Sequence, residues 1–253
     1  MKMLFMGRKK SAAEMLEWTL SQGIEVVGVV TDSHIPSSPT MAVAKKHGLR
    51  LMSMEEAEEE FTKDQTFADV VVSYLFWRKL KKPLISAPKF GCINFHPAIL
   101  PEYRGLAGYN IAILNQLNEW GATAHYVDET IDTGAIIRVY KFHFDHRLET
   151  AFSLEKKTLR LQQDLYKSVV TDVVEKGMLD AQVQSNEGSL YINKKQMLDM
   201  MKILPNDDVD AKIRAFWFPP YSGAYVEING KQYTLVNDFI LNSLAGEDQT
   251  FQK

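Results

Sequence analysis

Cysteine is nearly missing from this chain of 253 residues, which holds only Cys92. A single thiol excludes an intramolecular disulfide and a cysteine-rich metal centre, and no metal is expected. Positive charge is not in excess either: 29 Lys and Arg face 32 Asp and Glu, a formal net charge of -3. That balance provides no basic field for a phosphate polymer, so nucleic acid is not expected as a partner. No uncharged apolar run approaches the length needed to cross a bilayer, so no membrane role is expected. The opening "MKMLFMGRKK" holds a four-residue apolar run between charges, too short for the apolar core of a signal peptide, and a cytoplasmic location is the expectation. Internal repeats and low-complexity tracts are also missing. What remains, 45% hydrophobic and 24% charged, is the composition of a globular protein with a sizeable core.

The first half alternates strand-like and helix-like segments. "MLFMG" reads as a buried strand, followed by the amphipathic helix "SAAEMLEWTLSQG" with Ser11 as its cap and Gly23 as its stop. "IEVVGVVTD", the helix "PTMAVAKKHG", the acidic helix "MEEAEEEF" and the buried strand "ADVVVSYLFW" follow. Strands separated by helices imply right-handed crossovers, so the expected class is α/β, a mostly parallel twisted sheet with helices on both faces. "AGYNIAILNQLNEWG" has helical spacing, "ATAHYVDE" and "AIIRVYKFHF" read as strands joined by "TIDTG", and a long helix is expected from Thr150 to Gly177. After it, "DDVDAKIRAFWF" reads as a short helix and "AYVEINGKQYTLV" as a hairpin with Asn229-Gly230 at its tip. The expected division is a catalytic domain over 1–180 and a small antiparallel appendage over 181–253.

One segment stands out: "GCINFHPAILPEYRG", Gly91 to Gly105. Its two-residue period sends Ile93 and Phe95 to one face and Asn94 and His96 to the other, at the carboxyl end of a strand where open sheets bind ligands. Asp132 lies in a tight loop with Gly134 nearby, and it joins them only if that loop folds back over the strand end. Converged, the set suits acyl transfer to a substrate that brings its own nucleophile. An amide donates to an oxygen gaining charge, an imidazole exchanges protons near neutral pH, and a carboxylate orients the ring. Spacing alone is also compatible with a structural histidine, a capping Asn and a turn-forming Asp.

"INFHPAILPEYRG" followed by "GATAHYVDETIDTGAII" resembles the paired signature of the folate-dependent formyltransferases, over residues from Met1 to about Thr150. That family includes methionyl-tRNA, glycinamide ribonucleotide and sugar-nucleotide N-formyltransferases. The resemblance implies a Rossmann-like core and transfer of a formyl group from 10-formyltetrahydrofolate to an amine, with Asn94, His96 and Asp132 as catalytic residues. Asn94 and His96 would stabilise the oxyanion of the tetrahedral intermediate, and Asp132 and His96 would move protons from the attacking amine to the departing folate nitrogen. "SYLFWRKL" stands where the family seats the pterin, so Phe76, Arg78 and Leu80, with Asp128, Thr130 and Asp132, are folate candidates. Plain core remains the other reading of Phe76 and Leu80.

Among the family's acceptors, the sugar-nucleotide enzymes resemble this chain best, in length and in "IRAFWFPPYSGAYVEINGKQY". The expected partner is thus a nucleotide-linked amino sugar, with the N-formylated product destined for a surface polysaccharide such as the O-antigen of lipopolysaccharide. Trp217, Phe218 and Tyr221 could present a flat face to a base or instead plug the fold. Arg8 and Lys9 could hold a phosphate or form a solvated basic turn, and Arg104 could contact the diphosphate or only brace its loop. Trp77 is a substrate candidate although some sugar-nucleotide enzymes carry a lysine there. The turn "MGRKKSAAE" lacks the glycine-rich loop of the glycinamide ribonucleotide enzymes, and no long basic C-terminal barrel of the methionyl-tRNA enzymes is evident. Activity of either of those kinds is the alternative. Hydrolysis of 10-formyltetrahydrofolate and a catalytically silent binding module are two more. The apolar tail leaves a homodimer open.

Overall fold

The computed structural model describes residues 1–185 and 187–244; the tail segment from residue 245, within the expected appendage, lies outside the described residues. In chain order the elements are β1 (Lys2–Gly7), α1 (Lys9–Ser21), β2 (Glu25–Val30), α2 (Pro39–Lys46), β3 (Leu51–Met52), α3 (Met54–Lys63), β4 (Val70–Tyr74) and β5 (Cys92–His96). Then come β6 (Tyr103–Gly105), α4 (Gly108–Leu114), β7 (Glu119–Tyr126), β8 (Ile136–His143), α5 (Ala151–Lys176) and β9 (Leu190–Ile192). The last are α6 (Lys194–Asp199), α7 (Val209–Phe216), the hairpin β10 (Tyr225–Ile228) and β11 (Lys231–Thr234), and α8 (Asp238–Leu244).

Seven strands form one sheet in the order β3-β2-β1-β4-β5-β7-β8. The pairs from β3 to β5 are parallel, and β7 joins β5 antiparallel. Ile93 and Phe95 face a core built with Met15 and Leu16 of α1, Ala44 of α2 and Leu165, Tyr166 and Val169 of α5. Cys92 faces a second core with Met54, Ala57 and Phe61 of α3 and with Leu80 and Leu84. Helices therefore cover both faces of a mostly parallel sheet, and the short antiparallel pair β10–β11 lies near the C-terminus. Cys92 is 1% exposed, and burial pushes its thiol well above the usual range. A chromogenic disulfide reagent is expected to leave the folded protein unmodified and to react with one thiol after denaturation.

Caps and stops follow local chemistry, with two departures. Ser38 caps α2 ahead of Pro39, Ser53 and Glu56 form a capping box on α3, and Gly23 ends α1 at a φ of 70°. Ser11, however, is no cap. The helix α1 starts at Lys9, and the Ser11 hydroxyl sits inside it, 3.0 Å from the Tyr74 hydroxyl, because a fully buried phenol needs a partner. The helix α4 stops at Leu114 rather than near Gly121: Gln116 takes a φ of 54°, and residues 119–121 open β7 instead. Gly121 is required there, since a Cβ would lie 2.2 Å from the Tyr140 carbonyl oxygen.

The chain forms two compact units, neither continuous in sequence. The first is Met1–Arg104, Gly121–Lys141 and Thr158–Leu190; the second is Gly105–Trp120, Phe142–Lys157 and the described chain from Tyr191. Within the second unit, Asn110 Nδ2 donates to Ala215 O at 2.5 Å, tying α4 to α7. Its hairpin turns at Asn229 and Gly230, with φ of 50° and 74°, as a type I′ turn demands. No helix among the described residues is long and apolar enough to cross a membrane.

Candidate active site

Three adjacent strands of the first unit place Ser73, Asn94 and His125 in register, Ser73 opposite Asn94 and Asn94 opposite His125. Strand pleating puts all three on one face. His125 Nδ1 lies 2.7 Å from Tyr126 O, which can only accept, so Nδ1 carries the hydrogen and Nε2 is an acceptor. Asn94 Nδ2 donates to that Nε2 at 3.1 Å, and Ser73 Oγ donates to Asn94 Oδ1 at 2.8 Å. The amide is held one way round. One of its two N–H hydrogens is used by His125, and the other remains for a ligand.

His96 ends β5 and is 7% exposed. Its Nε2 lies 2.9 Å from Tyr103 O, again an obligate acceptor, so Nε2 carries a hydrogen and Nδ1 is the ring atom left to exchange one. Nδ1 sits 3.5 Å from Asp132 Oδ2, while Asp132 Oδ1 sits 3.7 Å from His125 Nε2. The loop does fold back over the strand end, bringing the carboxylate to both rings. Asp128 builds that loop: its Oδ1 accepts from Thr130 N–H at 2.9 Å and from the hydroxyls of Thr130 and Thr133 at 3.2 and 2.6 Å. Asp132 itself takes a φ of 57°. In this arrangement the Asn94 amide and the Asp132 carboxylate both lie against His125, and the same carboxylate lies against His96.

The other sequence candidates divide between the two units. In the first unit, Arg8 follows β1 and Trp77 follows β4, the adjacent strands between which the sheet order reverses. The Arg8 guanidinium lies 5.2 Å from the Trp77 ring centre, its Nε donates to Leu75 O at 3.1 Å, and Phe76 packs on Trp77 at 4.7 Å. Lys9 is exposed at the start of α1. Arg78 pairs with Glu55 at 2.6 Å, and its guanidinium holds that carboxyl down to about 2. Leu80 is 5% exposed and packs in the second core, as its plain-core reading has it. Arg104 is buried, with Nη2 donating to Gln184 Oε1 at 2.9 Å and Ser185 O at 3.3 Å. In the second unit, Trp217 ends α7, Phe218 meets Phe152 edge-on at 5.7 Å, and Tyr221 is 73% exposed.

The formyl transferase family profile matches residues 1–170, which contain Asn94, His96 and Asp132. The chain belongs to the formyltransferase family. A methionyl-tRNA formyltransferase from Clostridioides difficile is 30% identical over 202 residues, covering 76% of this chain. The match covers 65% of that relative, so the chain spans just under two thirds of its length. Among solved structures, an N-formyltransferase from Helicobacter canadensis in complex with folinic acid and dTDP-3-aminofucose superposes with a TM-score of 0.76 at 23% identity, covering 92% of this chain and 86% of that one. A 4-N formyltransferase from Francisella tularensis gives 0.77 at 19% identity, covering 93% and 96%.

Two neighbours of Asn94, Ser73 and His125, stand inside the segments "SYLFWRKL" and "GATAHYVDETIDTGAII", yet the motifs give them no role. Each is a polar residue inside a mainly apolar run, "VVVSY" and "GATAHYV". A polar side chain in a buried strand signals a fixed partner, but the partner is set by cross-strand register, which one strand alone does not contain. Gly134 is the other constraint. A Cβ there would meet the Tyr126 carbonyl oxygen at 1.8 Å. Gly134→Ala is expected to displace the Asp132 loop, lowering stability by about 1–3 kcal/mol in thermal melts and turnover by at least tenfold.

Proposed function

We propose that this protein transfers a formyl group from 10-formyltetrahydrofolate to the amine of a nucleoside-diphosphate-linked amino-deoxy sugar. The observation that carries the chemistry is the fixed orientation of Asn94, which leaves one amide N–H for an oxygen that gains charge. The acceptor amine forms a bond to the formyl carbon, and the bond from that carbon to the folate N10 breaks. His96 Nδ1 and Asp132, 3.5 Å apart, take the proton the amine loses and return one to the leaving nitrogen. Tyr103 O holds the other ring nitrogen of His96, and His125 Nε2 holds the Asn94 amide, so the ring and the amide each keep one orientation.

Three observations support a nucleotide sugar as acceptor. Structural similarity to the enzyme holding dTDP-3-aminofucose extends over 92% of this chain, including elements beyond the profile match. Arg8, its guanidinium 5.2 Å from the Trp77 ring centre, puts at the switch point of the sheet a group suited to a diphosphate. A net charge of -3 disfavours a polyanion such as tRNA.

The second reading is formylation of methionyl-tRNA, favoured by sequence relatives such as the 30% identical Clostridioides difficile protein. The test is a panel of thymidine-, uridine- and guanosine-diphosphate amino sugars and methionyl-tRNA, each with 10-formyltetrahydrofolate, read by mass. A gain of one formyl group on a sugar nucleotide with none on the tRNA is expected. Formylation confined to methionyl-tRNA, or to none of the acceptors, contradicts the sugar reading.

A further inference from the structure

Asp132 sits in the left-handed region of backbone space, which few L residues adopt and which Asp adopts only with local support. The Asp128 turn supports the loop ahead of it. The support on the other side comes from a distant segment. Ile136 and Gln182 exchange both backbone hydrogen bonds, at 2.7 and 2.8 Å, in an antiparallel bridge. That register brings residue 184 opposite residue 134. There Gln184 Nε2 donates to two carbonyls, Asp132 O at 3.1 Å and Gly134 O at 2.5 Å. Its Oε1 accepts from Arg104 Nη2 at 2.9 Å, which fixes the carboxamide one way round. Arg104 follows Tyr103, whose carbonyl holds His96 Nε2. The dipeptide Tyr103-Arg104 thus braces both partners of the His96–Asp132 pair, the ring directly and the carboxylate loop through Gln184.

We propose that Gln184 is a positioning residue that sets the separation of Asp132 from His96. This rests on the formyl-transfer reading of the site. Gln184→Glu keeps the length of the side chain and its bond to Arg104 but removes both donors and turns a carboxylate oxygen toward two carbonyls. Gln184→Leu removes both donors without a charge and guards against a variant that fails to fold. Each is expected to lower kcat about 10–100-fold while KM for both substrates stays within threefold, because neither substrate is touched. Hydrogen exchange of the peptide covering 128–134 is expected to quicken at least tenfold in both variants. Combining Gln184→Leu with Asp132→Asn is expected to add less than threefold to the loss of Asp132→Asn alone, since Gln184 acts through that residue. Unchanged exchange in 128–134, an unchanged kcat, or effects that multiply in the double variant would each overturn the proposal. Absence of formyl transfer by the wild-type protein would overturn the functional reading instead, and the exchange measurement would still decide whether Gln184 holds the loop.

Discussion

Asn94→Ala is expected to lower kcat by about 10²–10³-fold, the loss that follows removal of one donor to a developing oxyanion, about 2.7–4 kcal/mol. The effect belongs to kcat because the donor is worth most when the oxygen carries charge. Asn94→Asp is expected to be worse. It keeps shape but replaces the free N–H with a second acceptor, and its charge opposes the one that develops. Truncation also strands Ser73 Oγ and His125 Nε2, whose partners in this structure are the two ends of the Asn94 amide. Asn94→Ala is therefore expected to melt at lower temperature as well, by the order of 1–3 kcal/mol for groups left unpaired. The control is Ser73→Ala, which removes one of the two partners that hold the amide without deleting the amide. It is expected to fall between wild type and Asn94→Ala, at about tenfold, in steady-state assays of formylated product. A rate for Asn94→Ala within threefold of wild type would remove the amide from the chemistry.

His96→Ala carries the largest expected loss, about 10²–10⁴-fold in kcat, the usual worth of a positioned general acid–base. The geometry makes a sharper case through its partner. In the wild type, Nε2–H is tied to Tyr103 O, and Nδ1 faces a carboxylate oxygen at 3.5 Å. Asp132→Asn puts an amide in that place. Its N–H would donate to Nδ1 and occupy the lone pair that must receive the proton, so the ring would stay folded in position and fail to exchange. Asp132→Asn is accordingly expected to lose nearly as much as His96→Ala while retaining the native melting temperature within a few degrees. An Asp132→Asn enzyme with more than a tenth of wild-type kcat would show that the carboxylate only shapes the loop.

Much of the fold was legible because its signals are local. The two-residue period of "INFH" sorted Ile93 and Phe95 into one core and left Asn94 and His96 on the other face, as the structure shows. Gly23 and the Asn229-Gly230 turn need positive φ, and each ends its element where expected. What was not legible depends on pairs distant in sequence. Ser11 looks like a cap until Tyr74, 63 residues on, claims its hydroxyl. His125 and Ser73 become parts of the site only through the registers of β4, β5 and β7. Gln184 reaches Asp132 from 52 residues away through one β-bridge. The borders of the two units fall inside β6, β7, β8, α5 and β9, where no change of composition marks them.

The most direct test of the shared site is a double-mutant cycle on formyl transfer, joining Asn94→Ala with Asp132→Asn and measuring kcat by the mass of the formylated acceptor. Two groups acting on one reacting carbon are expected to be strongly coupled, so the double variant should be no more than about tenfold slower than the slower single variant. Losses that multiply through the full cycle would contradict a single catalytic unit at Asn94, His96 and Asp132.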